Sequence, residues 1–341
     1  MGGETTTTPR LTSTPQGRHN AQIDHAQPQP SRSHPGFDGL PRLGRPQLGA
    51  TRETGPRRAS LVDELATNLQ CYAGLRLTGL WISVGTLELY DWIFARAWFV
   101  LPSGWATWLA VFVVFDLLFY GVHRLSHTHR WLWASHAVHH QGRFMNLSLA
   151  VRQSWTHVHL IWPVFMPLAL LGVSGGVLLS VATVSSIYQL VIHTERVRRL
   201  PWPIEWVFNT PSHHRVHHER GVRSCNHGAV LIVWDRLFGT FEAERSGGTT
   251  AYGIEGGYEG ADPFVAQWAP LARVLGRTRP APGVGRPNLT WAVLNLVAAF
   301  VVRYTLPAAG PTAKLCAVAA VFASIAWAAR AGKITRVDGI T

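Results

Sequence analysis

Fourteen of the seventeen histidines in this 341-residue chain fall between His123 and His227, in tight groups separated by long apolar runs. The groups read HRLSH (His123, His127), HAVHH (His136, His139, His140) and SHHRVHH (His213, His214, His217, His218). Neutral imidazole is the commonest metal ligand, and packing alone does not account for so many in one stretch. The chain is therefore expected to bring the ends of apolar helices together around metal.

Composition supports a membrane setting. Hydrophobic residues make up 47% of the chain, charged residues only 15%, and mean hydropathy is +0.08, which sets it apart from ordinary soluble proteins. Fifteen tryptophans fit the bilayer interface, where the indole is apolar at one end and wet at the other. The net charge of +12 comes nearly all from arginine. These arginines flank apolar segments and form no nucleic-acid stripe, so no nucleic-acid partner is expected. Cys71, Cys225 and Cys316 are far apart, with no CxxC, and imply neither a disulfide framework nor a thiolate zinc site.

Residues 1–60 are rich in Thr, Pro, Gln, Ser, Gly and Arg, and read as a disordered basic tail without a signal peptide. Its histidines, His19, His25 and His34, are scattered. Apolar segments follow at 73–100, 105–122, 158–173, 176–192, 291–306 and 315–329. Several lie near the short end of the roughly 17–25 residues that span a bilayer. They read as three helical hairpins, some of whose legs only dip into the membrane. Arginine-rich flanks at 52–58, 196–199 and 273–286, against tips at 101–104 and 172–176 without Lys or Arg, place both termini and every histidine cluster in the cytoplasm. Arg96, Arg303 and Lys314, near the outer tips, count against that orientation. The stretch 194–287 is polar and holds the last cluster. Within it, 229–234 is an apolar run of strand or helix, and the Gly-rich 247–260 is loop.

On a helix, His123 and His127 share one face, one turn apart. His136 lies one turn from His139 and His140, which project differently and can serve different ions; His214, His217 and His218 repeat this. His193 ends the fourth apolar segment on the same side. That makes nine candidate ligands, more than one tetrahedral ion needs, so two metals are expected. Imidazole suits zinc, copper, iron and nickel alike. His129, His157 and His159 read as interfacial. His227 stays open. Asp116, an acid inside an apolar segment, and Asp235 read as groups that orient imidazoles through their second nitrogen.

The strings DLLFYGVHRLSH, LWASHAVHH, NLSLAVRQSW, IHTE, FNTPSHHRVHH and VLIVWDRLFGTFEAE, over residues 65–245, resemble the fatty acid hydroxylase/sterol desaturase superfamily. They lie closest to the branch that includes alkylglycerol monooxygenases and bacterial sterol-desaturase-like proteins. The resemblance implies an all-α integral membrane domain at 65–245, made of helical hairpins under a cytoplasm-facing histidine-rich cap. A cytoplasmic loop at 246–287 and a C-terminal transmembrane hairpin at 288–332 would follow. It implies a non-haem di-iron enzyme that uses O2 on lipid. Two Fe2+ ions would be held by His123, His127, His136, His139, His140, His214, His217 and His218, with His193 and His213 as further members. Asn146 and Gln153 match positions near the site. Two departures stand out. Asn226-His227-Gly228 occupies the place of the family's frequent Asn-Tyr-Gly. Thr128 follows HxxxH where the alkylglycerol branch often has an acid, which counts against pterin-dependent ether cleavage.

The reading is thus a membrane lipid hydroxylase or desaturase acting on a sterol-like or fatty-acyl substrate. Electrons would come from an external redox partner, because the chain has no haem, flavin or nicotinamide motif; the lone GVG at 283–285 is not one. An alkylglycerol monooxygenase and a metal transporter are the rivals. A transporter would place its ionisable groups at the bilayer midplane, whereas these clusters lie at segment ends.

Overall fold

A computed structural model describes Gly2 and residues 56–221, 224–249, 251–254, 257–258, 260–277, 289–305 and 310–331. The tail up to residue 55 apart from Gly2, with His19, His25 and His34, the GVG at 283–285 and the tip at 306–309 lie outside the described residues.

The described residues are helical, with no strand and two isolated bridges, Phe208 to Leu231 and Glu219 to Tyr252. Pro56 opens α1 (Pro56–Phe94), at a position where its missing N–H leaves no helical bond unmade. The helix therefore starts within the stretch read as tail. α2 (Trp105–Thr128) ends at His129, whose N–H reaches Leu125 O at 2.8 Å. That one extended residue turns the chain straight into α3 (Arg130–His140), setting HRLSH beside HAVHH. Asn146 then caps α4 (Leu147–Ala150).

The apolar stretch 158–173 is not one helix. It divides into α5 (His157–Ile161), a 3-10 turn (Trp162–Phe165) and α6 (Pro167–Leu170). Pro163 and Pro167 have no N–H for the i−4 carbonyl, and their rings crowd it, so the helix breaks at each. Ser174 Oγ caps α7 (Gly175–Val191) by accepting the Val177 N–H. α8 (Trp202–Val207), α9 (Pro211–His218), α10 (Val233–Leu237), α11 (Pro263–Val274), α12 (Leu289–Thr305) and α13 (Pro311–Ala331) complete the chain. The run 229–234 supplies the Leu231 bridge and then enters α10.

Two apolar cores hold these helices. Tyr90, Val111, Phe115, Phe165, Leu168 and Val181 join α1, α2, α6 and α7, with Phe115 and Phe165 stacked at 4.6 Å. Ala73, Leu77, Ala299, Val302, Val321 and Ile325 join α1 to α12 and α13. At one end of the bundle the Trp98 N–H meets Leu170 O at 2.8 Å and Tyr90 Oη meets Val173 O at 2.9 Å. Trp98, Phe99, Val100 and Trp105 are exposed there. The histidines gather at the other end. Among the described residues, α2 is the one helix long and apolar enough to cross a bilayer by length and composition; the apolar helical stretches 157–170, 175–191, 289–302 and 312–327 are shorter.

Trp155 joins α1 to α11 and α13. Its indole donates to Cys71 O at 3.0 Å and lies 5.0 Å from the rings of both Phe264 and Phe322. It fits against α1 because residue 74 is glycine; a Cβ there would overlap the indole. Gly74→Ala is expected to force Trp155 aside and cost about 1–3 kcal/mol of stability, seen as a lower thermal midpoint of the detergent-purified protein.

Candidate metal centre

The histidine ring nitrogens fall into two groups, each with its atoms within 4.8 Å of one another. One holds His123, His127, His136, His140 and His217; the other holds His139, His193, His214 and His218. Helical spacing sorts them. His123 and His127 on α2, and His136 and His140 on α3, are i,i+4 pairs that point the same way. His139, one residue off that face, turns to the second group. α9 does the converse: His214 and His218 form the i,i+4 pair in the second group, and His217 joins the first. The groups adjoin, with the His140 and His218 rings stacked at 4.3 Å.

Hydrogen bonding fixes the protons. His123 Nδ1 lies 2.7 Å from His227 O, His217 Nδ1 2.7 Å from Cys225 O, His193 Nδ1 2.6 Å from Gln189 O and His139 Nδ1 3.2 Å from Arg152 O. A carbonyl only accepts, so each of these nitrogens carries the single proton of a neutral ring and each Nε2 is a bare lone pair. Yet His139 Nε2 and His193 Nε2 face each other at 3.3 Å, and His193 Nε2 is 2.9 Å from His214 Nε2. In the first group His136 Nε2 meets His123 Nε2 at 3.0 Å and His140 Nε2 at 3.2 Å. The facing lone pairs of His139 and His193 repel unless a cation lies between them, whereas His136 and His214, whose Nδ1 atoms have no partner among the described residues, can carry their proton on either nitrogen. Metal–nitrogen bonds of roughly 2.0–2.1 Å put neighbouring ligand nitrogens about 3.0–3.4 Å apart, the spacing seen here. His127 Nε2, His217 Nε2 and both ring nitrogens of His218 are buried with no hydrogen-bond partner among the described residues. The donor set fits two ions that accept imidazole.

Burial, and then the repulsion of neighbouring imidazoles, holds His136, His139, His140, His214, His217 and His218 well below the ordinary 6.5. All are neutral and ligand-ready at pH 7.

The other expected site residues divide by what they touch. Asp235 is fully buried and accepts from the His227 N–H, the Gly228 N–H and Thr240 Oγ1, each at 2.7 Å. It thereby holds the turn whose His227 carbonyl orients His123. Gly228 is needed because a Cβ there would overlap Leu231 O. Asn226, at φ 54°, spans His213 O (3.0 Å) and Glu242 O (2.7 Å) with its amide. Asp116 accepts from the Val230 and Leu231 N–H groups and from Trp234 Nε1. The His227 ring belongs to neither group; it is 5.2 Å from the His127 ring and meets Ser224 Oγ at 2.7 Å. Gln153 Nε2 is 3.5 Å from His139 Nδ1, while Asn146 caps α4 and meets no cluster histidine.

His213 also lies in neither group. Its Nε2 is 2.9 Å from Glu205 Oε2, and its Nδ1 accepts from the Thr210 N–H at the start of α9. Burial opposes ionisation of Glu205, but bonds from His213, the Leu200 N–H, Thr210 and Ser212 bring it down to about 2. His157 is buried, not interfacial: Ser135 Oγ is 2.9 Å from its Nδ1 and the His136 ring 4.7 Å away.

Sequence reasoning missed Arg152 and Glu205. Arg152 is 2% exposed and donates to Val138 O, Asn68 Oδ1 and Gln141 Oε1, while its own carbonyl orients His139. An arginine in the apolar run LAVRQSW was a usable signal. The backbone carbonyls that set the tautomers leave none.

Residues 108–240 match the family model described as fatty acid hydroxylase. The chain is similar to alkylglycerol monooxygenase of Danio rerio, with 40% identity over 202 residues, 58% of this chain and 44% of the relative. With alkylglycerol monooxygenase of Homo sapiens the figures are 36% over 228 residues, 65% and 50%. With ornithine lipid hydroxylase of Rhizobium tropici they are 33% over 171 residues, 47% and 49%. The chain thus spans about half the length of the curated relatives it matches. No solved structure shows a significant match.

Two outcomes follow from this geometry. Unfolded histidines titrate near 6.5, whereas the buried ones stay neutral well below it, so the unfolded chain binds more protons in between. The stability of the metal-free protein should be full above about pH 6.5 and fall steeply as pH drops below it, read as thermal midpoint against pH. Asp235→Asn leaves every imidazole in place but weakens the turn behind His123, and should lower metal affinity about 10–100-fold in competition with a chelator.

Proposed function

We propose that this chain, which carries a fatty acid hydroxylase domain over residues 108–240, is a membrane-bound, O2-dependent di-iron oxidoreductase that hydroxylates or desaturates a lipid. The observation that carries the reading is the pair of facing Nε2 lone pairs on His139 and His193, inside the second of two adjoining all-histidine groups. Iron, when bound with O2, supplies the oxidant for an unactivated C–H bond. The protein's part is arrangement. Backbone carbonyls aim His123, His139, His193 and His217. Burial of the rings keeps water from the site and keeps them uncharged. The site lies at the end of the helices where a lipid chain in the leaflet can reach it. On this reading the protein is multi-pass, with its termini and the histidine clusters in the cytoplasm, and an external redox protein or reductant supplies electrons.

The relatives named alkylglycerol monooxygenase favour an ether lipid as substrate, and the ornithine lipid hydroxylase favours hydroxylation. Thr128, following HRLSH, is the feature that counts against ether cleavage. A metal transporter is the weaker reading, since the imidazoles collect at helix ends in two compact groups.

Purified protein is expected to contain about two irons per chain and to consume O2 with lipid and reductant. His139→Ala and His217→Ala, one from each group, should lower the iron content and abolish turnover while leaving membrane insertion intact. A zinc-only protein without O2 uptake would sink the proposal, and full turnover in either variant would contradict that residue's role. Lipid profiles of a deletion strain identify the substrate. An accumulating alkylglycerol supports ether cleavage; a precursor lacking one oxygen supports hydroxylation, and one carrying two extra hydrogens supports desaturation.

A further inference from the structure

Asp116 lies at the midpoint of α2, 12 residues before Thr128, or roughly 18 Å at about 1.5 Å per residue. Its carboxylate accepts from Val230 N–H at 2.9 Å, Leu231 N–H at 3.1 Å and Trp234 Nε1 at 2.9 Å. Nearer the histidine end, Tyr120 stacks on Phe238 at 5.4 Å and its hydroxyl meets Thr240 Oγ1 at 2.9 Å. After leaving the last cluster, then, the chain runs back along α2 to its middle before α10 turns it outward. On the sequence alone, 229–234 reads as an apolar run of strand or helix within the polar stretch 194–287.

We infer that residues 229–238 form a re-entrant wedge in the leaflet on the histidine side, with Leu237 and Phe238 against lipid acyl chains. The inference rests on the reading of α2 as a membrane span. Non-helical backbone at membrane depth needs acceptors inside the protein. Asp116 supplies them for two consecutive N–H groups, which gives this acid in an apolar helix a physical role. The outer face of the wedge is apolar: Leu237 is 70% and Phe238 48% exposed. Arg236 ties α10 to α8 by donating to Trp206 O at 3.1 Å and Glu205 O at 3.0 Å. Trp202 and Trp206 on α8 are exposed, and the exposed Arg196, Arg198 and Arg199 precede them. An apolar tip below an indole belt and arginines complements acyl chains under anionic headgroups.

The test uses the full chain with Cys316→Ser, since Cys71 and Cys225 are buried. Leu237→Cys, Trp202→Cys and, as a control on the exposed face of α2, Val114→Cys are each labelled with bimane. The proteins are reconstituted in phosphatidylcholine–phosphatidylglycerol vesicles. The 237 probe should lose fluorescence to acyl-chain spin labels and be shielded from aqueous iodide. The 202 probe should respond most to spin labels near the headgroup. A 237 probe quenched by iodide, with the 114 probe quenched by lipid, overturns the wedge and leaves the span standing. Iodide quenching at both 237 and 114 removes the span and the wedge with it. A 237 probe shielded from both quenchers means that protein covers this face, and also overturns the inference.

Discussion

A neutral imidazole has one proton, and where that proton goes decides which way its lone pair points. Here four backbone carbonyls, those of Arg152, Gln189, Cys225 and His227, each take the Nδ1 proton of a buried histidine. Much of the surrounding structure keeps those carbonyls in place. The segment 224–240 makes no sheet and only one short helix, yet it delivers two of the four, and Asp235 and Asn226 cross-link it. Arg152 does the same for the stretch after α3: its guanidinium joins α1 and α3 while its carbonyl aims His139. Asp235, Asn226 and Arg152 are buried polar residues that bond this backbone.

Charge is rationed in a similar way. The nine grouped imidazoles are uncharged and no carboxylate stands among them. The nearby acids, Asp235, Asp116 and Glu205, spend their oxygens on N–H and O–H donors. A cation entering either group therefore meets neutral donors, and the net charge of the centre is that of whatever it binds.

Much of this was legible in the chain. Helical class, the histidine groups and the division of HAVHH between two of them follow from residue type and a 3.6-residue period, and the motifs pointed to the domain that residues 108–240 match. Segment length was less legible. The 158–173 run is apolar throughout, but Pro163 and Pro167 break it, and hydropathy does not register a missing N–H. His213 illustrates a different limit. It belongs to the same string as His214, yet one residue turns its ring 100° around α9 to Glu205, a partner that only the tertiary fold supplies. Arg152 acts through its carbonyl as well as its side chain, and a residue letter does not announce that.

The division of α3 and α9 between the two groups has a mechanical consequence. Neither helix can move for one group alone, because each carries histidines of both: His136 and His140 with His139, and His217 with His214 and His218. Whatever draws α3 and α9 together at the first group also sets most of the second group's nitrogens. Were each group to hold an ion, filling one would lower the ordering cost of filling the other.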